Sequence, residues 1–260
     1  LGVGPGNTPA YITKDAKIKR AVNDLFLSKT FDNGMICASE QAIIVDNEVY
    51  NDVKAEFLAH NAYIVSSKAE LAKLQAAVML PDGHAVNPKI VGFSAKYIAE
   101  LAGIKVPEET KLLIAEIAGV GVDFPLSREK LSPVLAMVKA NSTEEGLDLC
   151  EAMLDLGGLG HTAVIHTEDE DLQIQFGIRM KACRILVNTP AAEGGIGNIY
   201  NEMLPSLTLG CGSYGHNSVS HNVSAVDLIN VKTLAKRRNN MQWFKLPPKV
   251  YFEKNSITYL

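Results

Sequence analysis

The sequence predicts an α/β fold, a mostly parallel sheet flanked by helices, followed by a C-terminal segment of different texture. Three observations predict it. Short apolar runs alternate with segments whose apolar residues recur at helical spacing. The runs are apolar throughout, as strands covered by helices on both faces must be. Hydrophobic residues make up 47% of the 260 and charged ones 21%, enough apolar material for a large core and too much for disorder.

The elements follow in order. The opening LGVGPGNTPAYI reads as a turn and strand. From Asp15, the residues Ile18, Ala21, Val22, Leu25 and Phe26 repeat at helical spacing, and the pattern stops near Asp32-Asn33-Gly34. A strand is expected at Ala42 to Val45, and a helix over Glu48 to Ala59 turns Val49, Val53 and Phe57 inward. A strand at Ala62 to Val65 leads to a helix opened by the capping pair Ser67 and Glu70. Pro81-Asp82-Gly83 and Asn87-Pro88 mark a loop, and a short helix from Ser94 stops at Gly103, a residue suited to a left-handed C-cap. Strands are expected at Leu112–Ile117 and Val134–Val138. Ser142 and Glu145 open the next helix, with Leu147, Cys150 and Leu154 on one face. A strand at Thr162–His166, a helix around Leu172–Met180 and a strand at Arg184–Val187 complete the pattern.

Charge and composition exclude several functions. With 25 Lys and Arg against 29 Asp and Glu, the net charge is −4, which argues against a nucleic-acid surface. The longest apolar stretch, Leu112 to Leu126, is broken by Glu116 and Asp123, so no membrane span is expected. No basic-then-apolar leader opens the chain, although it starts without Met in a strand-like segment, as a piece of a longer polypeptide would. The four cysteines, Cys37, Cys150, Cys183 and Cys211, are widely spaced. No metal site is expected from them, and free thiols suit a reducing cytoplasm. Cys150 and Cys183 read as packed core thiols, one on a helix face and one in a strand. Cys211 lies in a Gly-rich loop where exposure is open. Cys37 falls between a helix and a strand, where a loop can present a nucleophile. GVGPGN has its third glycine one position early for a dinucleotide loop and Thr8-Pro9 behind it, so it reads as a tight turn.

Taken together, GVGPGNTP, SKTFDNGMICASEQ, EKLSPVLAM, GGLGHTA, NTPAAEGGIGN and PSLTLGCGSYGHNS resemble, in that order, the aldehyde dehydrogenase superfamily in its CoA-acylating branch. The resemblance is to the aldehyde dehydrogenase part of bifunctional aldehyde–alcohol dehydrogenases. It covers essentially the whole chain and only the later, catalytic half of that module. The nucleotide-binding domain that precedes this half, and the iron-dependent alcohol dehydrogenase domain that follows, would lie outside the chain. The resemblance implies an NAD-dependent oxidoreductase acting on an aldehyde and coenzyme A. Cys37 takes the place of the family's catalytic thiol, which carries a thioester, and its backbone N–H is a candidate oxyanion donor. Glu129 takes the place of the carboxylate that holds the nicotinamide ribose, and Leu131 that of an apolar neighbour of the nicotinamide. His161, after three glycines, could exchange protons with the CoA thiol near neutral pH or simply bond turn carbonyls. Gly195 and Gly212, in their Gly-rich loops, would line the acyl or CoA entrance. GVGPGN carries no glutamate where hydrolytic relatives have one, so the implied product is acyl-CoA.

The resemblance also implies an organisation: residues 1–225 form the catalytic thiol domain, and 226–260 an oligomerisation arm and linker. LINVKTLAKR is similar to an arm strand that extends a neighbouring subunit's sheet, giving a homo-oligomer. Lys236-Arg237-Arg238 reads as a solvated surface and Pro247-Pro248 as linker. Two other readings stand beside this one. One is a Cys37/His161 acyltransferase or hydrolase without nicotinamide; the other is a non-catalytic assembly module, with the isolated chain inactive in oxidation and reduction.

Overall fold

The computed structural model describes residues 3–237 and Lys254. The chain divides into two units, Leu1–Asp227 and Leu228–Leu260. In the first, seven strands form one sheet: β1 Thr8–Ile12, β2 Glu40–Asp46, β3 Ala62–Val65, β4 Leu112–Glu116, β5 Val134–Ala140, β6 Gly160–His166 and β7 Ala182–Val187. Their order is β3-β4-β5-β2-β1-β6-β7, and every neighbouring pair is parallel. Seven helices accompany them: α1 Ile18–Thr30, α2 Tyr50–Ala59, α3 Lys68–Val78, α4 Ala95–Leu101, α5 Thr143–Leu156, α6 Glu170–Arg179 and α7 Ala191–Ile196. This is the expected α/β architecture, with α7 added.

Alternation along the strands explains why both faces had to be apolar. Ala10, Ile12, Ile43, Val45, Ile114 and Met137 pack with Val22, Leu25, Val53 and Phe57 of α1 and α2. Their sequence neighbours Tyr11, Ala42, Ile44 and Ala136 point the other way, against Leu147, Met153 and Leu154 of α5 and Phe176 of α6. Leu113 and Ala115 meet Leu74, Val78, Ile98 and Ala99 of α3 and α4 on that second side. Successive Cβ atoms on a strand face opposite ways, so a doubly covered sheet buries the side chains of both faces and favours apolar residues at each position.

The helix starts are chemically marked. Ser67 Oγ accepts the Glu70 N–H at 3.2 Å, and Ser142 Oγ accepts the Glu145 N–H at 3.2 Å, each satisfying a donor the helix cannot. Gly103 adopts φ +66° just past α4, as its place after the apolar repeat suggests. The structure departs from expectation at β2, which begins two residues earlier, with Glu40 and Gln41 buried in the sheet. Polar identity hid them from an apolar-run reading; their partners appear below.

In the second unit, residues 229–237 form no helix or strand, and Ile229, Val231, Leu234, Lys236 and Arg237 are exposed. Arg238 and the segment with Pro247-Pro248 lie outside the described residues. Among the described residues no helix is long and apolar enough to cross a membrane.

Candidate active site

All the chemistry-bearing positions gather at one edge of the sheet. Gly6 precedes β1, Cys37 precedes β2 and Glu129 precedes β5, while His161 and Arg184 open β6 and β7. Because all five strands run the same way, their N-terminal ends share that edge. Open α/β sheets usually bind ligands at the carboxyl ends of their strands; this arrangement is the reverse.

Gly6 is the point of contact. Its backbone N–H donates to Glu129 Oε1 at 3.0 Å. A Cβ placed on Gly6 would lie 1.9 Å from the Cys37 carbonyl oxygen and 3.5 Å from His161 Cδ2. Only a residue without a side chain lets Cys37, Glu129 and His161 converge there. Cys37 is half-buried. Burial first, and then the Glu129 carboxylate, push its thiol pKa up, while the Arg184 guanidinium opposes them. Its N–H donates to no backbone carbonyl among the described residues.

The turn that delivers Cys37 is unusual. After α1, Asp32, Asn33 and Gly34 all adopt positive φ, 48°, 49° and 71°, a left-handed run that Asn and Asp tolerate better than other side chains. It is anchored twice. Asn33 Nδ2 donates to the Gly92 carbonyl at 2.9 Å, and Gly34 packs against the Ser132 carbonyl, 2.6 Å from where a Cβ would stand. The Glu129 turn is itself strained: Leu131 has φ 44°, costly for a γ-branched side chain. It is held by the Gly92 N–H donating to the Leu131 carbonyl at 3.1 Å.

Beneath both turns lies a buried polar network. Gln41 Oε1 accepts from the Lys130 N–H at 2.9 Å and from Lys29 Nζ at 3.2 Å. Lys130 Nζ donates to the carbonyls of Gln41, Leu126 and Arg128 at 2.7 to 2.8 Å. Glu40 Oε2 accepts from Ser28 Oγ, and its Oε1 takes the Ala191 N–H at 2.8 Å, at the start of α7. Burial drives the Lys29 and Lys130 pKa values down and that of Glu40 up. Glu129 is also raised by burial, against the pull of the Gly6 N–H, Lys29 and Lys130.

His161 is buried, with Nδ1 2.8 Å from Thr162 Oγ1 and Nε2 without a partner. Burial, with Arg184 second, lowers its pKa to about 3. Burial of this kind favours the neutral ring, whose free Nε2 is an acceptor or a donor according to the tautomer. Gly195 is buried, with a would-be Cβ 2.8 Å from Ala38 Cβ, so it seats the residue after the thiol. Gly212, at φ +59°, faces Cys183 Sγ at 3.1 Å from its would-be Cβ.

One cysteine reading is corrected, and the exposure left open for another is decided. Cys183 is half-exposed rather than a core thiol, because it is the second residue of β7, and β7 is an edge strand of the sheet. Cys211 is buried, since Gly160, at φ +81°, lets the Cys211 carbonyl approach to 1.9 Å from its would-be Cβ. Cys150 is buried on α5 as read. Sequence reasoning passed over Arg184, whose guanidinium influences Cys37, Cys183 and His161. Lone polar residues inside apolar strands gave no periodic signal. Among the described residues, no cluster of His, Cys, Asp and Glu could hold a metal.

A cavity of about 310 Å³ lies against Glu129, lined also by Pro5, Asn7, Arg128 and Leu156. Oε2 of Glu129 makes no hydrogen bond among the described residues, so the carboxylate can accept from a vicinal diol opening onto this space.

No protein-family model matches the chain. An aldehyde-alcohol dehydrogenase of Streptococcus pneumoniae serotype 4 is 52% identical over 266 residues, covering 100% of this chain and 30% of that protein. The crystal structure of an acetylating aldehyde dehydrogenase from Geobacillus thermoglucosidasius matches with a TM-score of 0.87 and 44% identity, over 93% of this chain and 52% of that one. A Rhodopseudomonas palustris propionaldehyde dehydrogenase, solved with bound CoA and an acylated cysteine, shares the fold at 24% identity and a TM-score of 0.74, over 84% of this chain and 48% of its own. The chain thus spans 30% of its curated relative and about half of each solved neighbour. Sustained along its whole length, the 52% identity means that the chain belongs to the aldehyde–alcohol dehydrogenase family.

Proposed function

We propose that the chain supplies the thiol domain of an NAD-dependent, CoA-acylating aldehyde dehydrogenase that interconverts acyl-CoA and aldehyde in the cytoplasm. The observation that carries this reading is the Gly6 junction: one half-buried thiol and one carboxylate with a free oxygen share a single backbone contact. The acetylating activity in the name of the Geobacillus neighbour supports it.

Cys37 Sγ, as thiolate, attacks the thioester carbonyl of acyl-CoA. The new S–C bond forms while the bond to the CoA sulfur breaks, and the departing thiolate takes a proton. The Cys37 N–H holds the developing oxyanion, and His161 Nε2 offers the leaving thiol a hydrogen-bond partner. Glu129 Oε2 and the adjoining cavity suit the ribose hydroxyls of a nicotinamide nucleotide, with Leu131 as its apolar neighbour. When bound, that cofactor supplies or removes the hydride. Gly195 and Gly212 keep side chains out of the acyl and CoA approach. GVGPGN carries no carboxylate that could activate water, which favours a thiol as acyl acceptor. Residues 226–260 serve as the arm and linker through which copies of the protein associate.

Acyl transfer needs no nicotinamide, so the chain itself can be tested. Acetyl-CoA is expected to acetylate Cys37, detected by peptide mass spectrometry, with no label in Cys37→Ala. Acetylation confined to another cysteine, or absent altogether, overturns the assignment. In the longer protein, oxidation of NADH that depends on acetyl-CoA separates this reading from a nicotinamide-free acyltransferase.

A further inference from the structure

The loop that presents Glu129 is built around a buried side chain. Lys130 is fully buried, and its Nζ donates to three main-chain carbonyls, those of Gln41 and Leu126 at 2.8 Å and that of Arg128 at 2.7 Å. Three acceptors, one for each N–H, are the complement of an ammonium, which has three donors and no acceptor. The carbonyls of Leu126 and Arg128 receive no backbone N–H among the described residues. The ammonium stands in for the missing ladder, and the chain from Leu126 to Lys130 curls round its own side chain.

The same residue ties this loop to the thiol turn. The Lys130 N–H donates to Gln41 Oε1 at 2.9 Å while Lys130 Nζ donates to the Gln41 carbonyl, so one residue of β2 is gripped by side chain and backbone together. Gln41 Nε2 in turn donates at 3.1 Å to the carbonyl of Ser39, two residues beyond Cys37. Both ends of the Gln41 amide are therefore committed, one to each turn. Glu129 lies between the clamped Arg128 carbonyl and the clamped Lys130 N–H, which fixes the backbone on either side of the carboxylate. A buried charge carries a desolvation cost that an apolar side chain of similar volume avoids. Its presence here goes with the geometry it imposes.

We infer that Lys130 is a positioning residue: its ammonium sets the spacing between the Cys37 turn and the Glu129 turn and so aims the Glu129 carboxylate at the ribose hydroxyls of the nicotinamide nucleotide. The aim rests on the ribose role proposed for Glu129; the clamp does not.

Two readouts keep these apart. In the chain, the pH midpoint for iodoacetamide labelling of Cys37 senses Glu129, which raises the thiol pKa. Lys130→Met is expected to move that midpoint down, towards that of Glu129→Gln, and to move it no further when Glu129→Gln is already present. An unchanged midpoint, or an equal shift in both backgrounds, overturns the inference, because a merely structural residue acts with or without the carboxylate. In the longer protein, Lys130→Met is expected to raise KM for NADH by roughly tenfold, as loss of one good hydrogen bond would, and by more than it lowers kcat. If Glu129→Gln leaves that KM unchanged, the ribose reading fails; if Glu129→Gln raises it and Lys130→Met does not, the positioning fails. A further measurement needs no variant. Lys29 and Lys130 are the fully buried lysines among the described residues, and only Lys130 has all three N–H groups bonded. NMR of the chain labelled with 15N-lysine is expected to show a slowly exchanging ammonium signal at neutral pH. Its absence overturns the clamp even where Lys130→Met fails to fold.

Discussion

At the scale of single residues, the reactivity of Cys37 is set by two opposed charges in a partly desolvated place. Glu129 raises its pKa and Arg184 lowers it. The thiolate is the nucleophile, so the labelling rate of Cys37 as a function of pH reads these influences directly. Glu129→Gln removes the negative neighbour: the pH midpoint for iodoacetamide labelling of Cys37 is expected to fall, and its rate near neutral pH to rise. Arg184→Gln removes the cation, and the midpoint is expected to climb. The two shifts have opposite signs, whereas a general loosening of the site would move both variants the same way. Sequence spacing could nominate Cys37 as a thiol between elements, but the charges that govern it come from β7 and from the turn before β5, remote in the chain.

At the scale of elements, the site depends on two turns locked together. The left-handed run Asp32–Gly34 and the strained turn at Leu131 meet through Gly92 and the Ser132 carbonyl. A Gly34→Ala side chain would meet that carbonyl at 2.6 Å in a backbone conformation that already disfavours it. Its expected cost is about 1–3 kcal/mol of stability, read as a lower urea midpoint, together with slower labelling of Cys37. Ser142→Ala is the contrasting case: losing the cap of α5, far along the chain from the thiol, is expected to cost about 1 kcal/mol and to leave Cys37 labelling unchanged. The helix start at Ser142 was legible because capping is local in sequence. The turn lock was not, because Asp-Asn-Gly announces a turn but not the carbonyl it rests on.

For the molecule as a whole, buried ionisable groups tie stability to pH. His161 and His166 are buried neutral, each with a pKa lowered to about 3 from 6.5, burial being the main cause. Between those values the unfolded chain binds protons that the native state does not, so their contribution is intact above about pH 6.5 and is lost as pH falls towards 3. Asp24 and Glu40 act in the opposite sense, since burial raises both and their ionisation opposes folding. Comparing chains therefore isolates the histidine share. His166→Phe fills a fully buried site whose two ring nitrogens have no partner. The variant is expected to lose less stability than the parent chain between pH 6.5 and 4.5, by on the order of a few kcal/mol, measured by urea unfolding across that range. An unchanged pH slope would contradict a neutral His166 in the folded state.

The sequence by itself determined the doubly covered parallel sheet, because strands buried on both faces must be apolar throughout and amphipathic helices carry their period in the chain. Local chemistry likewise marked the caps and turns, and the ordered motifs around Cys37 and Glu129 identified the family. Only the tertiary structure decided that the site lies at the N-terminal edge of the sheet, that Gly6 joins the thiol to the carboxylate, and that Lys29, Glu40, Gln41, Lys130 and Arg184 are buried behind it. It also brought Cys183 to the sheet edge and enclosed Cys211. The physical reason is range: periodicity, capping and turn preference act between near neighbours in sequence, whereas burial of a charge and its compensation are fixed by groups that meet only when distant strands align.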